Sequence, residues 1–172
     1  MPDLKPVLSQ AELESTVCDL AQRISRDYAN REVILIGVLK GSFVFLADLV
    51  RHLTIPVKID FVRLASYGKK TSSCGTVCLT KEIEIDIAGK DVLVVEDIVD
   101  TGLSLDFLIG HLKTLKARSV RICALIDKRE RRERDIAVEY VGRIVAQGFL
   151  VGYGLDYAEQ YRQLPAIYDL QI

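Results

Sequence analysis

The sequence predicts an α/β fold: a mostly parallel, twisted sheet flanked by helices, with a small lobe from the C-terminal segment. Three observations carry this. Val33-Ile34-Leu35-Ile36-Gly37-Val38-Leu39 is apolar at every position, the pattern of a strand buried on both faces. Val92-Leu93-Val94-Val95 repeats that pattern in the middle of the chain. Segments with helical spacing alternate with these strands, as the crossovers of a parallel sheet require.

Taken in order, Ser9-Gln10-Ala11-Glu12 has the hydroxyl-to-carboxylate spacing of a capping box. Leu13, Val17, Leu20 and Ile24 follow at helical intervals, predicting an amphipathic helix over 10–28. After the first apolar strand, Lys40-Gly41-Ser42 breaks the pattern and 43–53 reads as a helix. Strand-like stretches recur at 57–65 and 77–83. The strand at Val92 to Val95 ends in an acidic loop, and a helix over 103–117 follows, with Leu105, Leu108, Leu112 and Leu115 on one stripe. A further strand, 120–126, ends at Asp127-Lys128. Beyond Glu130 the pattern becomes short strands and loops. The chain therefore reads as a single domain over 1–172, with a core over about 9–128 and a hood over about 129–172.

Composition narrows the function classes. The 172 residues are 49% hydrophobic and 27% charged, which excludes intrinsic disorder. No apolar run approaches the ~20 residues that span a bilayer, and the opening residues lack the order of a secretion signal. A soluble, cytoplasmic protein without a membrane partner is expected. With 23 basic against 24 acidic residues, the net charge of -1 argues against broad nucleic-acid binding. Four cysteines and two histidines lack the spacings of a zinc site. Cys18 and Cys123 read as buried thiols, Cys74 and Cys78 as exposed ones in a reducing compartment.

Ligands of open parallel sheets bind beyond the carboxyl ends of the strands. The most informative such end is Glu96-Asp97-Ile98-Val99-Asp100-Thr101-Gly102-Leu103-Ser104. An Asp-Thr-Gly turn opening a helix offers successive backbone N–H groups, two hydroxyls and a positive helix terminus, an anion site suited to a phosphate monoester. The adjacent carboxylates Glu96 and Asp97 can accept hydrogen bonds from vicinal hydroxyls or hold a divalent cation through water. Phosphate and diol together point to a ribose 5-phosphate. An ordinary capped βα loop is the alternative, but two carboxylates at a buried strand end repel one another and need a reason to be there. Neither GxxxxGK[ST] nor GxGxxG occurs.

This segment resembles the phosphoribosyl-pyrophosphate (PRPP) motif of type I phosphoribosyltransferases, in the Glu-Asp form of the hypoxanthine-guanine branch. Four further blocks resemble that branch in the same order: Val38 to Ser42, Leu64 to Gly68, Leu125 to Lys128, and Phe149 to Tyr157. The resemblance runs from about residue 9 to the C-terminus. It implies the type I phosphoribosyltransferase fold and magnesium-dependent transfer of 5-phosphoribosyl from PRPP to hypoxanthine, and to guanine, in purine salvage. It also implies a homodimer or homotetramer.

Residue by residue, the resemblance implies that Asp100 is the general acid/base near the purine N7. It places Glu96, Asp97, Thr101, Gly102, Leu103 and Ser104 on PRPP, with Glu96, Asp97 and Asp156 as magnesium groups. Lys40, Gly41 and Arg162 contact pyrophosphate, with a cis peptide expected at Leu39-Lys40. Lys128 donates to the purine O6, Phe149 stacks on the base, and Ile98 and Leu150 complete the base pocket. Ser66 and Tyr67 head a lid that continues to Gly75. From the residues alone, Lys128 reads as a solvated charge beside Arg129, Arg131, Arg132 and Arg134, and that arginine run as a surface feature. Leu103 and Leu150 depart from the polar residue and the Val common at those places. A phosphoribosyltransferase for xanthine or uracil, and a nucleotide-sensing RNA-binding regulator, remain as alternatives.

Overall fold

The computed structural model of the protein describes residues 3–67 and 76–171. In chain order it contains β1 (Asp3–Leu8), α1 (Gln10–Asp27), β2 (Val33–Leu39), α2 (Phe43–His52), β3 (Val57–Tyr67) and β4 (Thr76–Lys81). Then come β5 (Asp91–Val99), α3 (Leu103–Thr114), β6 (Ser119–Lys128), β7 (Tyr140–Val145), β8 (Leu150–Val151) and β9 (Ile167–Gln171). The main sheet has the order β4-β3-β2-β5-β6-β7. Every neighbouring pair in it is parallel except β3 with β4.

The apolar runs divide their residues between two cores. On β2, Val33 and Leu35 face one core while Ile34, Ile36 and Val38 face the other. Leu93 and Val95 of β5 are likewise opposed to Val92 and Val94. Successive side chains of a strand point to opposite faces, so a strand covered on both sides must be apolar throughout. The first core receives Leu13, Val17, Leu20 and Ile24 of α1 and Phe45, Leu46 and Leu49 of α2. The second receives Leu105, Leu108 and Leu112 of α3.

The capping box forms as expected: Ser9 Oγ accepts the Glu12 N–H at 3.3 Å, and the Ser9 N–H donates to Glu12 Oε2 at 2.8 Å. Several expectations need correction. The last helix of the core stops at Thr114, and Leu115, just past its end, is 37% exposed rather than on the buried stripe. Cys18 and Cys78 are both half-buried, whereas Cys123 is fully buried; Cys74 lies outside the described residues. The acidic pair does not lie in a loop, because β5 runs on through Val99. Its ladder with β6 continues, pairing Ile98 with Ile126 and Val99 with Asp127.

The C-terminal segment also divides differently. β7 joins the main sheet beside β6, so it extends the core. The second sheet, β1-β9-β8, takes its outer strand from the N-terminal segment, with Leu4 opposite Leu170. Tyr153, which follows β8, donates its hydroxyl to Asp48 of α2 at 2.5 Å and so ties this hood to the core.

Candidate active site

Two cavities open at the C-terminal ends of β2, β5 and β6, and Asp97 lines both. The smaller, about 240 Å3, is walled by Glu96, Asp97 and the turn Asp100-Thr101-Gly102, with Ser104 at the start of α3. The larger, about 520 Å3, reaches from Lys40 and Gly41 past Asp97, Ile98 and Asp100 to Lys128, with the hood residues Phe149, Leu150, Asp156 and Arg162 opposite. Its size suits a small organic ligand.

At the small cavity, Gly102 precedes the first residue of α3 and, having no side chain, makes no cap hydrogen bond. Apart from that of Leu103, the first N–H groups of the helix are thus without a side-chain cap among the described residues, where the helix dipole favours negative charge. Thr101 Oγ1 accepts the Leu103 N–H at 3.3 Å. Leu103 does not line the cavity.

Glu96 and Asp97 are buried side by side. Burial and the neighbouring charge of Asp97 push the Glu96 carboxyl well up, and burial pushes Asp97 up as well. Two such groups call for a counter-charge or for hydroxyl donors. Among the described residues, Asp100 Oδ1 is buried without a hydrogen-bond partner, an acceptor left open on the lining of both cavities.

Gly41 abuts the acidic pair, since a Cβ there would lie 1.7 Å from Asp97 Oδ2. On its other side, a Cβ on Gly154 of the hood would lie 2.1 Å from the Gly41 carbonyl oxygen. The Leu39-Lys40 peptide is cis, as expected. Lys40 Nζ pairs with Glu159 Oε2 at 3.0 Å. Arg162 reaches the same carboxylate at 3.4 Å, Asp156 at 2.9 Å and the Gly154 carbonyl at 2.7 Å. Glu159, which the sequence does not single out, joins two cations expected to face an anion. Its side chain lies close to both only because the hood folds back, with Ala158, Glu159 and Tyr161 all at positive φ.

The base-pocket expectations also meet here. Lys128 is buried, at 6% exposure, with its Nζ 3.5 Å from Glu130 Oε2. The reading of a solvated charge, taken from the residues alone, is therefore wrong. β6 carries its polar end into the cavity rather than out of it. Phe149, 43% exposed, lines the same cavity, edge-on to Tyr157 with ring centroids 5.5 Å apart. An exposed aromatic and a buried lysine that line one open cavity can together hold a planar ring whose edge carries an acceptor.

The arginine run is not simply a surface feature. Arg131 lines the larger cavity, and Arg132 is bound into the strand ends behind it. Ser66 is exposed and lines neither cavity; the side chain of Tyr67 and residues 68–75 lie outside the described residues. Among the described residues, no three His, Cys, Asp or Glu side chains form a ready metal cage. The oxygen donors of Glu96, Asp97 and Asp156 nevertheless suit a hard cation that keeps its waters and completes its shell from a bound phosphate. No helix among the described residues is long and apolar enough to cross a membrane.

Residues 5–158 match the phosphoribosyl transferase domain family. The chain is 40% identical over 163 residues to a hypoxanthine-guanine phosphoribosyltransferase of Bacillus subtilis, covering 95% of this chain and 91% of the relative. It is 44% identical over 166 residues to a hypoxanthine phosphoribosyltransferase of Buchnera aphidicola, covering 95% and 94%. A crystal structure of a hypoxanthine-guanine phosphoribosyltransferase from Bacillus anthracis superposes with a TM-score of 0.92 at 47% identity, covering 98% of this chain and 99% of that one.

Proposed function

The chain belongs to the phosphoribosyl transferase family, and on that premise we propose that it serves purine salvage, transferring the 5-phosphoribosyl group of PRPP to hypoxanthine or guanine. The products are IMP or GMP, with pyrophosphate. One observation carries this reading: Lys128, Phe149 and the open carboxylate of Asp100 share a cavity that meets, at Asp97, an anion pocket on the N-terminus of α3.

The backbone N–H groups of Thr101, Gly102, Leu103 and Ser104 hold the 5'-phosphate, helped by the hydroxyls of Thr101 and Ser104, once Thr101 Oγ1 releases the Leu103 N–H. Glu96 and Asp97 accept hydrogen bonds from the ribose diol. Lys40, the backbone at Gly41, and Arg162 receive the pyrophosphate. To do so the two cations exchange the Glu159 carboxylate for the substrate. Glu96, Asp97 and Asp156 are the groups that hold magnesium, directly or through water. When bound, the ion neutralises charge on the leaving pyrophosphate.

The base lies between Phe149 and Ile98, with the backbone of Leu150 at its 2-position. Lys128 can donate to O6 of a 6-oxopurine but finds another donor at that place in adenine, so it selects by hydrogen-bond polarity. Asp100 takes the N7 proton as the base attacks C1, and its charge shields the cationic ribose in the transition state. Ser66 and Tyr67 head the lid that excludes water from that cation. The enzyme works in the cytoplasm as a homodimer or homotetramer.

The test is nucleotide formation by the purified protein with PRPP and magnesium, offering hypoxanthine, guanine, xanthine, adenine and uracil separately. Turnover of hypoxanthine or guanine, with adenine and uracil inert, supports the reading. Turnover of xanthine or uracil alone moves the base pocket. PRPP binding without turnover of any base replaces the enzyme with a nucleotide sensor.

A further inference from the structure

β5 and β6 run side by side to their last paired residues, Val99 and Asp127. The residues proposed to do chemistry, Asp100 and Lys128, stand one position further on, where the ladder has ended. Arg132 supplies the missing rung. Its Nε donates to the Asp100 carbonyl at 2.9 Å, and its Nη2 lies 3.4 Å from both the Val99 and the Lys128 carbonyls. The same Nη2 pairs with the carboxylate of Asp127, which is buried and also receives Arg129 Nε at 3.0 Å.

The loop around Arg132 is keyed to the phosphate turn as well. The Thr101 carbonyl accepts the N–H groups of Glu133 at 2.9 Å and Arg134 at 3.0 Å. Gly102, at φ 84°, leaves space for this contact, since a Cβ would sit 2.9 Å from the Arg134 carbonyl. A planar guanidinium with fixed donor directions is suited to such a joint; an ammonium is not.

We propose that Arg132 is a positioning residue that holds Asp100 and Lys128 in a fixed relation, so that the base edge read by one presents N7 to the other. The proposal rests on the function proposed above. It concerns a side chain that lines neither of the two site cavities.

The experiment compares wild type, Arg132→Lys and Arg129→Gln in initial rates of IMP formation, in PRPP affinity, in the hypoxanthine-to-adenine rate ratio and in melting temperature. Arg132→Lys keeps the charge beside Asp127 but loses the fork. Its kcat/KM for hypoxanthine is expected to fall about 30- to 100-fold, the scale of a displacement near 1 Å. Its PRPP affinity is expected to stay within about threefold, because Thr101 keeps its own backbone bonds. Arg129→Gln, altered at an exposed partner of the same carboxylate, is expected to stay within about twofold.

Equal loss toward both substrates, or a kcat/KM for hypoxanthine within about threefold of wild type, overturns the proposal. If Arg132→Lys does not fold, Asp127→Asn takes its place, with the same selective loss expected and the same outcomes overturning it. A wild type that converts no 6-oxopurine removes the underlying reading, and this proposal with it. Wild-type turnover with an indifferent Arg132 removes the proposal alone.

Discussion

An alanine at position 41 would place its Cβ 1.7 Å from Asp97 Oδ2 and 2.6 Å from its Cγ, where ordinary contact begins at 3.4 Å. The separation must therefore grow by about 1.7 Å, the difference between 3.4 and 1.7. Neither side yields easily. The Asp97 carboxylate is buried and accepts the Ile98 N–H at 2.9 Å. The loop has little room to retreat, because the Gly41 carbonyl lies where a Cβ on Gly154 would come within 2.1 Å of it. A displacement of this size at a positioned group costs about 100-fold or more. Gly41→Ala is thus expected to lower kcat/KM for PRPP at least about 100-fold, measured as IMP formation at saturating hypoxanthine, in protein whose melting curve shows it folded. If the collision is the cause, adding Asp97→Ala to the variant costs little beyond the loss that Asp97→Ala causes alone. A Gly41→Ala enzyme within about threefold of wild type would refute the reasoning.

Other outcomes follow from the same geometry. Asp100→Ala should reduce kcat by about 100-fold or more while PRPP still binds, whereas Lys128→Ala should raise the KM for hypoxanthine and relax discrimination at the 6-position; equal loss of PRPP affinity in both would refute that division. Glu159→Gln removes the carboxylate that pairs with Lys40 and Arg162, so pyrophosphate should bind about two- to fivefold tighter, read from product inhibition. Asp91, held by Arg118, Ser119 and Arg31, has its carboxyl pulled down from 3.8 to about 2, chiefly by the Arg118 hydrogen bonds. Its folded pKa lies below the unfolded one, so the stability it contributes is present above pH 3.8 and lost as pH falls towards 2. That contribution is about 2 kcal/mol at neutral pH, and Asp91→Asn should lose it at pH 7 while showing a shallower acid decline in urea titrations.

The central architecture was legible because its physical signature is local. Val33–Leu39 needs apolar side chains on both faces, and Ser9 and Glu12 make their capping box within one turn. The acid pair was legible because two carboxylates rarely end a buried strand without a task. What escaped depended on distant partners. β5 continues past Val95 only because β6 lies beside it, and polar Glu96 and Asp97 hide that strand from any pattern of hydrophobicity. Lys128 looks solvated among arginines until Asp127, buried beside it, takes up Arg129 and Arg132. Glu159 gains its place through a hood that returns to Lys40 from far along the chain. β1, with Pro6 inside it, has no strand signature of its own and is specified by β9.

The pairing of β1 with β9 sets a timetable for biosynthesis. Translation delivers the phosphate turn and Lys128 before Ile167–Gln171, and no pairing of the main sheet uses those later residues. Until β9 emerges, β8 has no strand against it, and the wall that carries Phe149 and Leu150 lacks its backing. A nascent chain therefore holds every strand around its anion pocket before the strand that backs its purine pocket. In the interval β1 is an unpaired strand, and Lys5, Pro6 and the irregular register between Pro6 and Leu8 make it a poor template for other chains. Base recognition thus waits on β9.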